Sequence, residues 1–100
     1  MSKRSKACDI SPTVRKEVMD RDGGMCIICG TSQGIQIAHY ISRARLGLGT
    51  PQNLACLCLH CHHEYDNGKL HSEIKNALKG HLKANYEGWD ESTLTYKKWR

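Results

Sequence analysis

Phenylalanine is absent from this chain of 100 residues, and tryptophan and proline occur twice each. Apolar residues make up 39% and mean hydropathy is -0.58. A chain this short with so little core material often needs a covalent or metal staple. No stretch approaches the roughly 18 consecutive apolar residues of a membrane span, so no membrane partner is expected. The basic opening, MSKRSKACDI, is followed by no apolar run and does not read as a secretory signal. The expectation is a cytoplasmic protein. Acidic residues are also the minority: 15 Lys and Arg against 10 Asp and Glu give +5. That excess fits a phosphate-bearing partner, and it fits many other soluble proteins equally well.

Cysteine is what the chain has instead. Two Cys-x-x-Cys pairs, Cys26/Cys29 and Cys58/Cys61, can supply four thiolates at the corners of a tetrahedron. In a reducing compartment that spacing points to structural zinc rather than disulfides. A redox dithiol would place one such pair in a βαβ unit; here two pairs flank a strand–loop–strand segment. Cys8 is left over as a free thiol in the leading arm. Cys56, on the same strand face as Cys58, could compete as a ligand but reads better as a small buried residue.

The order of elements follows from local signals. Residues 1–10 are polar and basic and read as a flexible arm. Ser11-Pro12 announces a helix with Val14 and Val18 toward the core, stopped by Asp22-Gly23-Gly24. Residues 35–41 alternate as a strand, with Ile35, Ile37, His39 and Ile41 on one face. Residues 42–52 are a loop and 53–59 a short apolar strand. A helix is expected from His62 to Asn67-Gly68. Another spans 70–86, with Leu70, Ile74, Ala77, Leu78 and Leu82 as its stripe; Gly80 weakens it. Residues 87–100 form a tail that could pack back through Trp89, Leu94, Tyr96 and Trp99.

Between and after the cysteine pairs stand His39, Asn53, His62, His63 and Asp66. His62 and Asp66, at i and i+4, share a helix face and suit two ligands of one divalent ion. An open site of imidazole, carboxylate and water is one that phosphodiester chemistry uses. An unligated histidine can deprotonate a water near neutral pH, and His39 on the adjacent strand is the natural candidate.

The order Cys-x-x-Cys-Gly, Ala-His-Tyr-Ile-Ser-Arg, Asn-Leu and Leu-Cys-x-x-Cys-His resembles the HNH endonuclease family, with a lead-in at Val14 to Asp22. The resemblance runs from Val14 to Gly68. It implies an α+β fold: a small zinc-stapled ββα-metal domain over 11–86, with a leading helix and a trailing helical segment. It implies His39 as general base, Asn53 as the brace of the loop and of that base, and His62 as a metal ligand. Cys26, Cys29, Cys58 and Cys61 match the structural zinc ligands. One departure matters. Many members carry a ligating Asp, Glu or His immediately before the base, where this chain has Ala38. Either Asp66 supplies the missing ligand, which is the favoured reading, or His39 itself binds the ion and another group is the base. A third outcome is weak or absent activity.

The function implied is a metal-dependent endonuclease that hydrolyses phosphodiester bonds in DNA. Sequence specificity should be low, and nicking against double-strand cutting stays open. The catalytic ion expected is Mg²⁺ or Mn²⁺, with Ni²⁺ or Zn²⁺ also suited to a histidine site. Arg43 and Arg45 could grip phosphates beside the scissile bond or be ordinary loop residues. Lys97, Lys98 and Arg100 beside Trp99 make a basic tail that a charged terminus explains as well. His60 and His63 read as solvated, His71 and His81 carry no assigned role, and Tyr40 and Tyr65 read as packing residues. The family is common in phages and bacterial hosts, which suggests phage packaging or recombination proteins as partners. The alternative is a non-catalytic zinc module that binds nucleic acid or docks a protein. Such a module has no need of His39, Asn53 and His62 at this spacing.

Overall fold

Two antiparallel strands lie between helices on either face. The computed structural model describes residues 3–97, with side chains from residue 6 onward. In chain order the elements are α1 (Lys3–Cys8), α2 (Pro12–Asp22), β1 (Ile35–His39), β2 (Leu54–Cys58), α3 (Leu59–Asn67) and α4 (His71–Asn85). The fold class is α+β, with a two-stranded sheet and a four-cysteine cluster, as expected. No helix among the described residues is long and apolar enough to cross a membrane.

Ser11 caps α2: its hydroxyl accepts the Val14 N–H at 3.1 Å, and Pro12 opens the helix. Val18 is buried, Val14 packs partly against the same cluster, and Gly23 closes the helix. The strands pair with Ile37 opposite Cys56 and His39 opposite Leu54. Residues paired across strands share a face. Ile37, Leu54 and Cys56 therefore pack together on Val18 of α2. The opposite face, Ala38, Tyr40, Ala55 and Leu57, packs with Tyr65 of α3 and Ile74, Leu78 and Leu82 of α4.

The expected common face along residues 35, 37, 39 and 41 does not run the full length: Ile37 belongs to the cluster on α2, and Ile41 packs against the cluster on the other side. Helices cover both faces, so β2 is buried along its whole length, and β1 ends at His39, before Ile41. Five leucines take the place of the missing aromatic filling. Leu54, Leu57, Leu78, Leu82 and Leu94 are each at most 2% exposed. Burying one such side chain contributes about 1.5–3 kcal/mol relative to leaving it exposed.

Other expectations also shift. The α4 stripe is narrower than expected, because the helix starts at His71 and leaves Leu70 and Ala77 exposed. Within the leading segment, Lys3–Cys8 form α1 and Cys8 is buried. The tail packs back. Leu94 is buried, and backbone bonds of 2.8 Å run from Leu48 N–H to Leu94 O and from Tyr96 N–H to Leu46 O. Lys98, Trp99 and Arg100 lie outside the described residues.

The loop between the strands is held from within by Asn53, which is fully buried. Its Oδ1 accepts the Ile41 N–H at 2.8 Å, and its Nδ2 donates to Leu48 O at 2.9 Å and Ile41 O at 3.1 Å. Gly47 makes this closure feasible. A Cβ there would stand 1.6 Å from Ile41 O and 2.9 Å from Asn53 Nδ2, so no other residue fits.

Candidate active site

The four cysteines converge although their pairs are far apart in sequence. Cys26 and Cys29 lie in the turn after α2, while Cys58 and Cys61 straddle the junction of β2 and α3. Their sulfurs all lie within 4.8 Å of one another, and Cys29 Sγ is 3.6 Å from Cys58 Sγ. A tetrahedron with metal–sulfur bonds of about 2.3 Å has edges of about 3.8 Å, so the donor set fits Zn²⁺.

The thiols are also electrically uneven. Burial opposes ionisation of Cys26, but N–H groups of Cys29, Cys58 and Ile28 outweigh it and bring its pKa down to about 6. Burial and the neighbouring sulfurs of Cys58 and Cys26 push Cys61 strongly upward. Four packed sulfurs resist sharing negative charge without a cation between them. Cys56 does not compete. It faces α2, with Sγ 3.5 Å from Met19 Sδ, and burial raises its pKa to about 11.

Beyond the four-cysteine cluster a cleft of about 350 Å³ opens between the end of β1, the following loop, α3 and α4. His39, Ser42, Arg45, Asp66, His71 and Lys75 contribute to its lining. His39 is half-buried, and its Nε2 lies 2.9 Å from the Cys8 carbonyl oxygen. A carbonyl can only accept, so Nε2 carries the proton and Nδ1 keeps its lone pair. Burial lowers the His39 pKa, Arg43 and His62 lower it further, and the Cys8 bond works the other way. The neutral, basic form is thereby favoured.

His62 sits in the first half of α3. Its Nδ1 donates to Gln36 Oε1 at 2.7 Å, and its Nε2 faces Asp66 Oδ2 at 3.5 Å. An imidazole nitrogen and a carboxylate oxygen facing each other can share one cation, and the hydrogen bond behind the ring holds its orientation. Among the described residues, this pair belongs to no cluster of three or more His, Cys, Asp or Glu ligands. Mg²⁺ and Mn²⁺ tolerate so few protein ligands because they retain waters and take phosphate oxygens.

No protein-family model matches the chain, and no curated protein matches it. Among solved structures it resembles that of the Type IV phosphorothioation-dependent restriction endonuclease ScoMcrA, with a TM-score of 0.63 at 20% identity. The chain shares its fold with part of a restriction endonuclease. The likeness covers 75% of this chain but 16% of ScoMcrA, so this chain corresponds to a small part of that protein.

The structure thus gathers His39 and Asp66 at one cleft, sets His62 beside Asp66, and places Asn53 beneath the loop. The two arginines part ways. Arg45 lines the cleft, whereas Arg43 is engaged by Asp9 Oδ1 at 2.7 Å and by Cys8 O at 2.7 Å. Arg43 is thus directed to the N-terminal segment and does not line the cleft. His60 and His63 are exposed, and Tyr40 and Tyr65 are buried packing residues.

Sequence reasoning missed several contributors. Gln36 orients His62, and its only signal was a polar residue on the strand face otherwise carrying Ala38 and Tyr40. His71 and Lys75 line the cleft from α4, one helical turn apart. His71 stacks on Tyr65 with ring centroids 4.9 Å apart, and Lys75 Nζ lies 5.8 Å from the Tyr40 ring centre. Behind the sheet, His81 Nε2 reaches the fully buried Asp22 carboxylate at 2.8 Å. None of these positions belongs to a local motif, so only the fold could bring them in.

Proposed function

We propose that this domain is an HNH-type, metal-dependent endonuclease that hydrolyses phosphodiester bonds in DNA. The observation that carries the proposal is one cleft lined by His39, whose Nδ1 lone pair is free, by Asp66, beside which His62 stands, and by the cationic side chains of Arg45 and Lys75. A divalent ion held by His62 and Asp66, Mg²⁺ or Mn²⁺ by preference, would neutralise phosphate charge and stabilise the leaving oxygen. His39 Nδ1 takes a proton from the attacking water, and Cys8 O supports the resulting imidazolium through Nε2–H. Arg45, Lys75 and His71 line the walls where the phosphates on either side of the scissile bond would lie. Asn53 keeps the loop carrying Ser42 and Arg45 at fixed distance from His39. Asp66 is the ligand that offsets Ala38, and in this reading His39 keeps its Nδ1 for the attacking water.

The test is plasmid cleavage by purified protein supplied with Mg²⁺, Mn²⁺, Ni²⁺ or Zn²⁺, beside His39→Ala. Conversion of supercoiled DNA to nicked or linear forms by the wild type, lost in the variant, is the expected result. Equal cutting by both proteins would remove His39 from the mechanism. No cutting with any ion, by protein that still binds DNA, would turn the reading to a non-catalytic zinc module.

A further inference from the structure

The N-terminal segment lies against the cleft, and three contacts lead from it to His39. The first is the Cys8 carbonyl, which accepts from His39 Nε2 at 2.9 Å and from Arg43 Nη1 at 2.7 Å. Both lone pairs of that oxygen are therefore used. The second is the ion pair of Arg43 Nη2 with Asp9 Oδ1 at 2.7 Å. Both side chains are nearly half exposed, so the pair adds little stability and acts mainly by fixing geometry. The third is the bond from Gly49 N–H to Ala7 O at 3.0 Å. The backbones meet there so closely that a Cβ on Gly49 would stand 2.0 Å from Asp9 O and 3.0 Å from Cys8 O. The segment is anchored on either side: Cys8 is 2% exposed, and Ile10 packs against the cluster around Val18.

No group on the motif's own strands or helices is seen to hold His39 Nε2; its hydrogen-bond partner comes from α1. A ring free to rotate about its χ angles would present either nitrogen, and an error of about 1 Å in placing a catalytic group can cost about a hundredfold in rate. We propose that the segment around Cys8 and Asp9 is a positioning element of the active site, whose carbonyl locks the His39 ring so that Nδ1 is the nitrogen left free to act on water. The site is then built from three separate parts of the chain: the strand bearing His39, the helix bearing His62 and Asp66, and the N-terminal segment. The inference rests on the nuclease reading for its kinetic consequence but not for the hydrogen bond itself.

The experiment uses the full chain, zinc-loaded, as wild type, Gly49→Ala and Asp9→Ala. Gly49→Ala pushes the segment off its seat without touching His39, and Asp9→Ala releases Arg43 through a surface pair that folding does not need. Nicking of supercoiled plasmid is measured across DNA concentrations, and the imidazole ¹⁵N and ring N–H signals of His39 are recorded without the catalytic ion. The expected result is a fall in kcat of about tenfold to a hundredfold with KM changed less than about threefold. The His39 Nε2–H signal, protected in the wild type, should be lost in step. A purely structural role would instead lower Tm while leaving kcat and the Nε2–H signal intact, and that outcome overturns the proposal. If Gly49→Ala does not fold, Asp9→Ala gives the same two readouts. If the wild type cuts no DNA, the nuclease reading fails, and the ring signals alone decide: persistence of Nε2–H in both variants refutes the lock, and its loss supports it.

Discussion

Asp22→Asn should strongly destabilise the domain while leaving the cleft and the zinc site untouched. The Asp22 side chain is fully buried and accepts four hydrogen bonds. They come from Arg21 Nε at 2.7 Å, Arg21 Nη2 at 2.9 Å, His81 Nε2 at 2.8 Å and the Cys56 N–H at 2.9 Å. The Arg21 guanidinium, 11% exposed, also donates to Pro51 O, Leu54 O and Tyr86 Oη. This network joins α2, β2, α4 and the end of the loop in one node. Asparagine keeps the shape but turns an NH₂ toward donors and leaves Arg21 without its counter-ion. Breaking a buried pair from one side costs about 3–5 kcal/mol. Against a total stability of about 5–15 kcal/mol that is a large share. At about 4–8 °C per kcal/mol, Tm should fall by at least about 12 °C.

The acid limb gives a second check. Burial works against the Asp22 carboxylate, but hydrogen bonds from His81, Arg21 and Cys56 win and hold its pKa well below the usual carboxylate range. A depressed folded pKa contributes stability that is present above the unfolded value of about 3.9 and is lost as pH falls below it. The difference between wild type and Asp22→Asn should therefore be constant at neutral pH and shrink below about pH 4. Urea titrations followed by tryptophan fluorescence, with zinc in excess and over the pH range in which the cysteines keep their zinc, measure that difference and the onset of its decline. A change under about 1 kcal/mol at pH 7 would refute the view of Asp22 as a node.

Four further outcomes follow. Removal of zinc by a strong chelator, or Cys61→Ser, should abolish the cooperative melt and most of the helical circular dichroism, because folding and binding of structural zinc share about 10–16 kcal/mol. Gln36→Ala should weaken Mn²⁺ activation by about tenfold to a hundredfold at unchanged Tm, read from metal titrations of cleavage, since it frees the His62 ring. Cleavage at saturating DNA should rise as pH climbs through a value below the ordinary imidazole pKa of about 6.5, because the lowered His39 pKa keeps the base neutral sooner; a midpoint above 7 would contradict the burial argument. Arg45→Gln should reduce the salt dependence of DNA affinity by about one counterion, measured by anisotropy across salt concentrations, whereas Arg43→Gln should leave that slope nearly unchanged.

Local chemistry made much of this molecule readable in advance. Ser11-Pro12 and Gly23 bound a helix because capping needs only neighbouring atoms. The two Cys-x-x-Cys turns declare a tetrahedral thiolate site because each pair is already preformed, and His62 and Asp66 share a face because helical spacing puts them there. Alternation marked β1 as a strand, but period two says nothing about whether one layer or two cover the sheet. The partners of the key groups were not legible. Gln36 behind His62, Cys8 O on His39, Asp9 on Arg43, and His81 on Asp22 are set by packing between elements distant in sequence. A residue type alone does not reveal which carbonyl will meet which ring. The sequence determined the cysteine set and the order of elements; the tertiary structure decided which nitrogen of His39 is engaged, which arginine lines the cleft, and that the carbonyl of Cys8 meets the His39 ring.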